Sequence, residues 1–459
     1  MNNMEDKNEI MAHRIAEAVA ASGGRVYYVG GLVRDRLIGR ENKDIDIEVH
    51  GIYPEELNQL LSELGEVLEM GASFGILGLK GYEIDIAMPR SETATGSGHR
   101  DFDVIVDPFI GEEKAAVRRD FTMNALMQDV LTGEILDFFG GREDMEKGVI
   151  RHVNDVTFAE DPLRVLRAAQ FAARFGYRIA DETAELSAGM DLTALASERI
   201  MGELTKALLK SEQPSVFFRE MRRMRQLSPW FAEVEALEAV PQKLKYHPEG
   251  NVWNHTMLVL DEAAKLRGRA SWPLGFMMAA LVHDFGKAEV TETDESGQIH
   301  AYGHETAGLE IIRNFLLRIC RENRMQDYVL NMAQLHMSPN MLISQHAGIK
   351  AYMRMFDRSC EPRDLLLLAK ADHLGRKAAA GEDLILEYEE TERILSEKLA
   401  VYEERMARPY VQGRDLVAAG AKPGPAFTEA LRYAHKMRLA GVPKDLALPQ
   451  TLAYLKGLD

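Results

Sequence analysis

The chain has 459 residues, too many for one ordinary domain, and its 46% hydrophobic and 28% charged content is that of a globular protein. Its longest apolar run, Phe276 to Val282, predicts no membrane span, its N-terminus MNNMEDKNEI lacks a signal-peptide pattern, and Cys320 and Cys360 are too few for a disulfide framework or zinc ribbon, so a reducing cytoplasm is expected. A net charge of −17 excludes broad coating of nucleic acid, yet Arg118-Arg119, Arg164, Arg167 and the run Arg219, Arg222, Arg223, Arg225 cluster enough positive charge for one RNA-binding face.

In chain order, residues 8–22 have the spacing of an amphipathic helix, followed by Gly23-Gly24 and a β-rich run, Val26 to Val29. Gly30-Gly31 opens a second helix near Leu32–Ile38. Asp44-Ile45-Asp46-Ile47-Glu48-Val49 alternates charged and aliphatic residues like a half-buried strand. A helix near Pro54–Leu64 and strands near Ile76–Leu79 and Glu83–Ala87 complete an α/β unit over 1–142, and Ser91–His99 has the composition of a flexible loop. Helical patterning dominates 143–240 and, with its own histidines, 241–400. Short helices separated by glycine turns fill 401–459. The fold class is therefore α+β, with a small mixed-sheet unit followed by largely helical ones.

Two aspartates at i and i+2 of a strand share a face about 7 Å apart. Asp44 and Asp46 would repel each other unless a cation lay between them, and a hard Mg²⁺ ion that also grips a triphosphate is the natural occupant. Upstream, Val29-Gly30-Gly31-Leu32-Val33-Arg34-Asp35 joins strand to helix through glycines that let backbone approach a phosphate, with Arg34 on the first helical turn to reach the same anion. An isolated D-x-D is usually a solvated strand face; a glycine pair, an arginine and D-x-D within twenty residues is more specific.

With these segments, the chain resembles the nucleotidyltransferase core of the polymerase-β-like superfamily. Arg118-Arg119-Asp120-Phe121-Thr122-Met123-Asn124-Ala125-Leu126 and Glu160-Asp161-Pro162-Leu163-Arg164-Val165-Leu166-Arg167 resemble the class II tRNA nucleotidyltransferase and bacterial poly(A) polymerase family, over roughly residues 25–240. The resemblance implies a polymerase-β-like head over 1–142 and a helical neck over 143–240. It implies metal ions on Asp44 and Asp46, with Asp85 or Glu83 as a third carboxylate, and triphosphate binding by Gly31 and Arg34 with Arg119 reaching the same nucleotide. Asp161, Arg164 and Arg167 fall at i, i+3 and i+6, roughly one helical face. A carboxylate that accepts from an exocyclic amine beside a guanidinium that donates can select C or A without a template; the resemblance assigns that task to Asp161 and Arg164. Gln170 departs from the arginine many relatives carry. Ser197-Glu198-Arg199-Ile200 with Glu203-Leu204 resembles a neck motif that orients the Asp161 helix, and Ser91–His99 sits where relatives carry a loop that helps switch from C to A. The implied activity adds C and A from CTP and ATP to the 3′ end of tRNA.

In the second half, His255, His283-Asp284 and Asp372 form the order H…HD…D, a mixed nitrogen and oxygen set suited to a divalent transition metal. Leu281-Val282-His283-Asp284-Phe285-Gly286-Lys287 resembles the HD phosphohydrolase superfamily, which implies a metal-dependent phosphohydrolase over 241–400 acting on phosphomonoesters or 2′,3′-cyclic phosphodiesters. Gly303-His304-Glu305 and His336 are extra polar groups able to meet phosphate or a second metal. A poly(A) polymerase, a partial CC- or A-adding enzyme, and a phosphohydrolase with an idle nucleotide-binding head are the alternatives. The acidic chain ends at Leu452–Asp459 without a basic extension, which favours tRNA over poly(A) synthesis.

Overall fold

The computed structural model describes residues 3–70, 76–94, 102–378 and 382–458. The chain divides into two compact units, Met1–Ala207 with Val216–Pro229, and Leu208–Ser215 with Trp230–Asp459.

The first unit opens with α1 (Asn3–Ala21), β1 (Arg25–Val29), α2 (Gly31–Leu37), β2 (Ile45–His50) and α3 (Pro54–Leu64). Strands β3 (Val67–Met70), β4 (Ile76–Leu79), β5 (Ile84–Ala87), β6 (Arg90–Ala94) and β7 (Phe102–Val106) follow, then α4 (Glu112–Val117), β8 (Met127–Asp129) and β9 (Ile135–Leu136). Seven strands form one sheet in the order β3-β4-β5-β2-β1-β8-β9. Only β2 and β5 pair in parallel within it, so the expected mixed sheet and α+β class are borne out.

Strand β2 is the hinge of the design. Ile45, Ile47 and Val49 are buried on one face, together with Val26 and Tyr28 of β1 and Met11, Ile15 and Val19 of α1. Period-2 alternation then sends Asp46 and Glu48 to the opposite face. Pairing Ile45↔Ile84 and Asp46↔Asp85 sets two carboxylates side by side on neighbouring strands.

Two expectations change here. Asp44 lies just before the first strand residue, Ile45, rather than on the strand. Residues 91–94 of the expected Ser91–His99 loop belong to β6, which pairs antiparallel with β7 from Arg90↔Val106 to Ala94↔Phe102; 95–99 lie outside the described residues. The β-branched and aromatic Phe102–Val106 offers a ladder of backbone partners, which outweighs the polar composition of the opposing run.

The neck contains α5 (Gly141–Glu146), β10 (Val149–Ile150), α6 (Asp155–Ala159), α7 (Leu163–Phe175), β11 (Arg178–Ile179), α8 (Asp181–Ala188), α9 (Ser197–Lys210) and α10 (Ser215–Arg223). Helix α7 buries Leu163, Val165, Leu166, Ala168, Ala169, Phe171 and Ala172, and Gly176 ends it in the left-handed region at φ 70.

The second unit is helical: α11 (Ala232–Ala236), α12 (Val252–Leu266), α13 (Pro273–Val282), α14 (Lys287–Val290), a small hairpin β12 (Glu292–Thr293) and β13 (Ile299–His300), α15 (His304–Ile319), α16 (Asn323–Leu335), α17 (Ser338–Ser344), α18 (Ile349–Arg358), α19 (Pro362–Leu374) and α20 (Leu384–Ala407). The apolar run Phe276–Val282 is the inside of α13, a helix buried on every side and packed by α12, α16 and α19. The tail helices α21 (Gly413–Ala418), α22 (Ala426–Ala440) and α23 (Lys444–Lys456) share a core of Leu416, Ala430, Ala434, Ala447 and Leu455. Among the described residues, no helix is long and apolar enough to cross a membrane.

Candidate active site and histidine centre

In the first unit, Asp46 is partly buried, while Asp44 and Asp85 are exposed at its flanks. Burial, followed by the charges of Asp85 and Asp44 against that of Arg119, raises the Asp46 carboxyl above the ordinary carboxylate range. Crowded carboxylates of this kind are stabilised by a divalent cation, and the donors, all oxygens, suit a hard ion. The β2–β5 register places Asp85 directly beside Asp46, whereas Glu83 precedes the strand and its backbone N–H donates to Asn8.

The glycine turn meets this trio. Gly30 takes φ 67, and a methyl group there would lie 3.6 Å from Arg119 Nη1 and 4.0 Å from Asp46 Oδ2. Arg119 also donates to Glu48 Oε2 at 3.0 Å, and Glu48 contacts His50 Nε2 at 2.9 Å. Burial pushes the Glu48 carboxyl up, but the His50 hydrogen bond and the Arg119 charge outweigh it and leave it lowered. A guanidinium is thereby fixed beside the carboxylates.

Arg34 departs from expectation. Its guanidinium is 4% exposed, paired with Asp35 at 2.7 Å, donating to Asn124 Oδ1 at 2.6 Å and lying over Phe171 and Phe175. The Arg118–Leu126 motif explains why. Asn124 donates to Asp120 at 2.9 Å, and Asp120 holds Arg167 at 2.6 Å. Arg34, Asn124, Asp120 and Arg167 thus form one buried chain that ties the glycine turn to α7.

Asp161 also sits differently. It precedes α7 rather than lying on its face, with Oδ1 accepting from the Leu163 backbone at 3.1 Å, because Pro162 starts the helix after it. Its carboxylate pairs with Arg199 of α9 at 2.9 Å, so the neck motif touches the residue it was expected to orient. Arg164 donates to the carbonyls of Thr157 and Arg118, the latter at 2.8 Å, one residue from Arg119. The expected base-selecting region is therefore joined to the carboxylate trio by backbone contacts.

In the second unit, the four expected residues converge. His255 Nε2 lies 2.9 Å from Asp372 Oδ1 and 3.8 Å from Asp284 Oδ2; His283 Nε2 lies 3.3 Å from Asp284 Oδ2 and 3.8 Å from Asp372 Oδ1. His283 caps the end of α13 and Asp284 lies in the turn after it. His304, first residue of α15, and His336, ending α16, place Nε2 3.2 and 3.7 Å from Asp284 Oδ1. Two ligand sets share this centre, His255-His283-Asp372 and Asp284-His304-His336, and a third group, His247-Glu249-His255, adjoins them through His255.

All four imidazoles turn Nε2 inward because Nδ1 is engaged elsewhere. Nδ1 of His283, His304 and His336 meets the carbonyls of Ala280, Ala301 and Ala333 at 2.8, 2.9 and 2.6 Å. His255 Nδ1 meets Glu249 Oε1 at 3.1 Å. An Nδ1 facing an oxygen acceptor must donate, so the neutral ring keeps its Nε2 lone pair for a metal. His283 Nε2 and both Asp284 carboxylate oxygens are buried without a hydrogen bond of good geometry, as vacant ligand atoms would be. Burial pulls His336 down to about 4, which suits a neutral ligand. For His255, burial is outweighed by the hydrogen bonds to Asp372 and Glu249, which raise it to about 9. The donor set fits a transition metal.

Sequence reasoning missed Glu249, which also accepts from His247 at 2.8 Å and from the Lys377 backbone at 3.0 Å, and Lys287, which sits 2.7 Å from Asp284 Oδ2. The HDFGK run contained Lys287 openly; Glu249 lies outside any motif and only the fold reveals it.

Residues 26–151 match the poly(A) polymerase head domain family and 252–377 the HD domain family. The multifunctional CCA protein of Pasteurella multocida (strain Pm70) is 37% identical over 366 residues, 77% of this chain and 84% of that one. The multifunctional CCA protein of Alkalilimnicola ehrlichii (strain ATCC BAA-1101 / DSM 17681 / MLHE-1) is 32% identical over 437 residues, 93% and 99% of the two chains. This chain belongs to the multifunctional CCA protein family. A CCA-adding enzyme in an apo form shares its fold at TM-score 0.66 and 19% identity, covering 98% of this chain and 96% of that one. A Thermotoga maritima CCA-adding enzyme complexed with tRNA does so at 0.63 and 20%, covering 97% and 95%. The family expected from the motifs is thus the family found, HD domain included.

Proposed function

We propose that the chain adds C and A to the 3′ end of tRNA from CTP and ATP, as a multifunctional CCA protein, in the cytoplasm. The observation that carries this reading is the meeting of Asp44, Asp46 and Asp85 with the Gly30-Gly31 turn and Arg119 in a chain whose family membership rests on whole-length likeness. Metal ions on the aspartates, Mg²⁺ by the oxygen donor set, would supply activation of the RNA 3′-OH and neutralisation of the leaving pyrophosphate. Arg119, held by Glu48, donates to the triphosphate, and Gly31 offers backbone that a phosphate can approach. Arg34 supports this turn from beneath, through Asn124. Asp161 accepts from the amino group of C or A and Arg164 donates to the ring, while Arg167, paired with Asp120, contributes to the same nucleotide site.

The second unit acts as a metal-dependent phosphohydrolase on phosphate esters. His255, His283, Asp284 and Asp372 would hold a divalent transition metal, with His304 and His336 offering further ligands beside Asp284. A metal there would supply a water acidic enough to attack phosphorus near neutral pH. Head 1–142, neck 143–240, HD region 241–400 and tail 401–459 serve as the working division.

Asp46→Asn and Asp85→Asn test the first site. Each is expected to lower nucleotide addition at least about 100-fold with tRNA affinity retained, since both remove charge from the metal-holding trio. Addition unchanged in Asp46→Asn overturns the assignment.

A further inference from the structure

Beside the carboxylate trio, three guanidiniums surround one ring. Arg34, Arg40 and Arg174 lie 4.8, 5.0 and 5.1 Å from the centre of Phe175. Like charges gather this way only where something offsets their repulsion, and cation–π attraction supplies part of it. Asp35 is the one carboxylate within ion-pair range of any of them among the described residues, at 2.7 Å from Arg34 and 3.7 Å from Arg174. Arg40 is exposed and makes a single 3.5 Å contact to the Arg174 carbonyl. Two positive charges are left over in a chain of net charge −17.

The cluster is continuous with the catalytic edge. The Asp44 backbone N–H donates to Asn42 Oδ1 at 3.0 Å, and Asn42 Nδ2 donates to Asp35 Oδ2 at 2.9 Å, the oxygen facing Arg174. Arg40 to Asp44 spans four residues, at most about 14 Å of extended chain. The nucleotide's phosphates have their own cation, Arg119, on the Asp46 side. The chemistry of nucleotide addition brings a second anion to this edge, the phosphate backbone of the strand being extended.

We propose that Arg40 and Arg174, stacked on Phe175, bind a backbone phosphate of the RNA 3′ strand next to the reacting hydroxyl. The assignment rests on the nucleotide-adding reading above. By contrast, Arg223 in the arginine run 219–225 is committed to Asp181 at 2.7 Å and the Ile179 carbonyl at 3.0 Å.

The test uses the full chain and tRNA lacking its 3′ CCA, with binding followed by fluorescence anisotropy at several salt concentrations and KM for CTP measured alongside. Arg40→Ala should weaken tRNA binding about 5- to 10-fold and reduce the salt slope by about 0.7, with Arg40→Glu weaker still and KM for CTP unchanged. Arg174→Gln should act in the same direction without lowering the unfolding temperature enough to account for it. Unchanged affinity and slope in Arg40→Ala and Arg40→Glu overturn the proposal. So does a raised KM for CTP with tRNA binding intact, which assigns the cluster to the triphosphate. A wild-type chain that neither binds nor extends tRNA would instead remove the functional reading itself.

Discussion

At the scale of single residues, charge partners decide which motif positions face a substrate. Arg34 and Arg119 look alike in the sequence, each an arginine followed directly by an aspartate. Asp35 and Asn124 draw Arg34 inward, whereas Glu48 and His50 hold Arg119 at the rim. No spacing rule separates them, because both outcomes depend on partners 71 or 90 residues away. Glu48 has a depressed carboxyl, so its stabilising contribution is present above its ordinary value of 4.5 and is lost as pH falls through its lower folded value. Glu48→Gln is expected to cost about 1–3 kcal/mol near neutral pH. The gap between the two unfolding temperatures should narrow progressively as pH falls below 4.5; a gap of constant size on acidification would show that the charge is not the source.

Glu249 makes a second residue-scale case. It buttresses His255 from behind, and outer-shell carboxylates of this kind are worth about 10–100-fold in metal affinity. Glu249→Ala should weaken Mn²⁺ or Ni²⁺ binding to the second unit by that factor in calorimetry, and Glu249→Gln, which can still accept from Nδ1, should recover most of it. Equal affinity in all three proteins would leave Glu249 a structural residue only.

At the scale of elements, the histidine centre depends on how closely two backbones approach. A methyl group on Gly286 would lie 2.0 Å from the His304 carbonyl and 2.6 Å from the Gly308 nitrogen. Gly286 therefore lets the turn carrying His283 and Asp284 press against the start of α15, which carries His304. Gly375 does the same for Asp372, since a methyl there would meet the Val259 backbone of α12 at 2.7 Å. Gly286→Ala should separate the two ligand sets and reduce phosphohydrolase activity at least about 10-fold, measured on a 2′,3′-cyclic nucleotide, while nucleotide addition by the first unit stays near wild type. Full phosphohydrolase activity in this variant would mean that the turn tolerates displacement.

The elements also show what patterning can and cannot convey. Strand β2 was legible because Ile45, Ile47 and Val49 alternate with acidic residues, and α7 because its apolar positions recur at helical spacing. The strand at 90–94 was not, because a polar run becomes a strand only when Phe102–Val106 lies beside it. Asp161 was placed on a helix by spacing alone; Pro162 puts the helix start just after it. The choice between Asp85 and Glu83 needed the β2–β5 register, a non-local fact.

At the scale of the whole molecule, the order of motifs conveyed more than any one of them. D-x-D, RRD, EDPLRVLR and HD each have ordinary structural explanations in isolation, and together they identify a family that likeness over most of the chain then establishes. Patterning along the chain was informative about the fold class, and composition was silent about where positive charge would gather. The most direct test is incorporation of labelled CTP and ATP, each alone and both together, into tRNA lacking its 3′ end with Mg²⁺ present. Addition of C from CTP, then one A only when both nucleotides are supplied, with GTP and UTP inert, is the predicted result. No incorporation, or long runs of A from ATP alone, would contradict it.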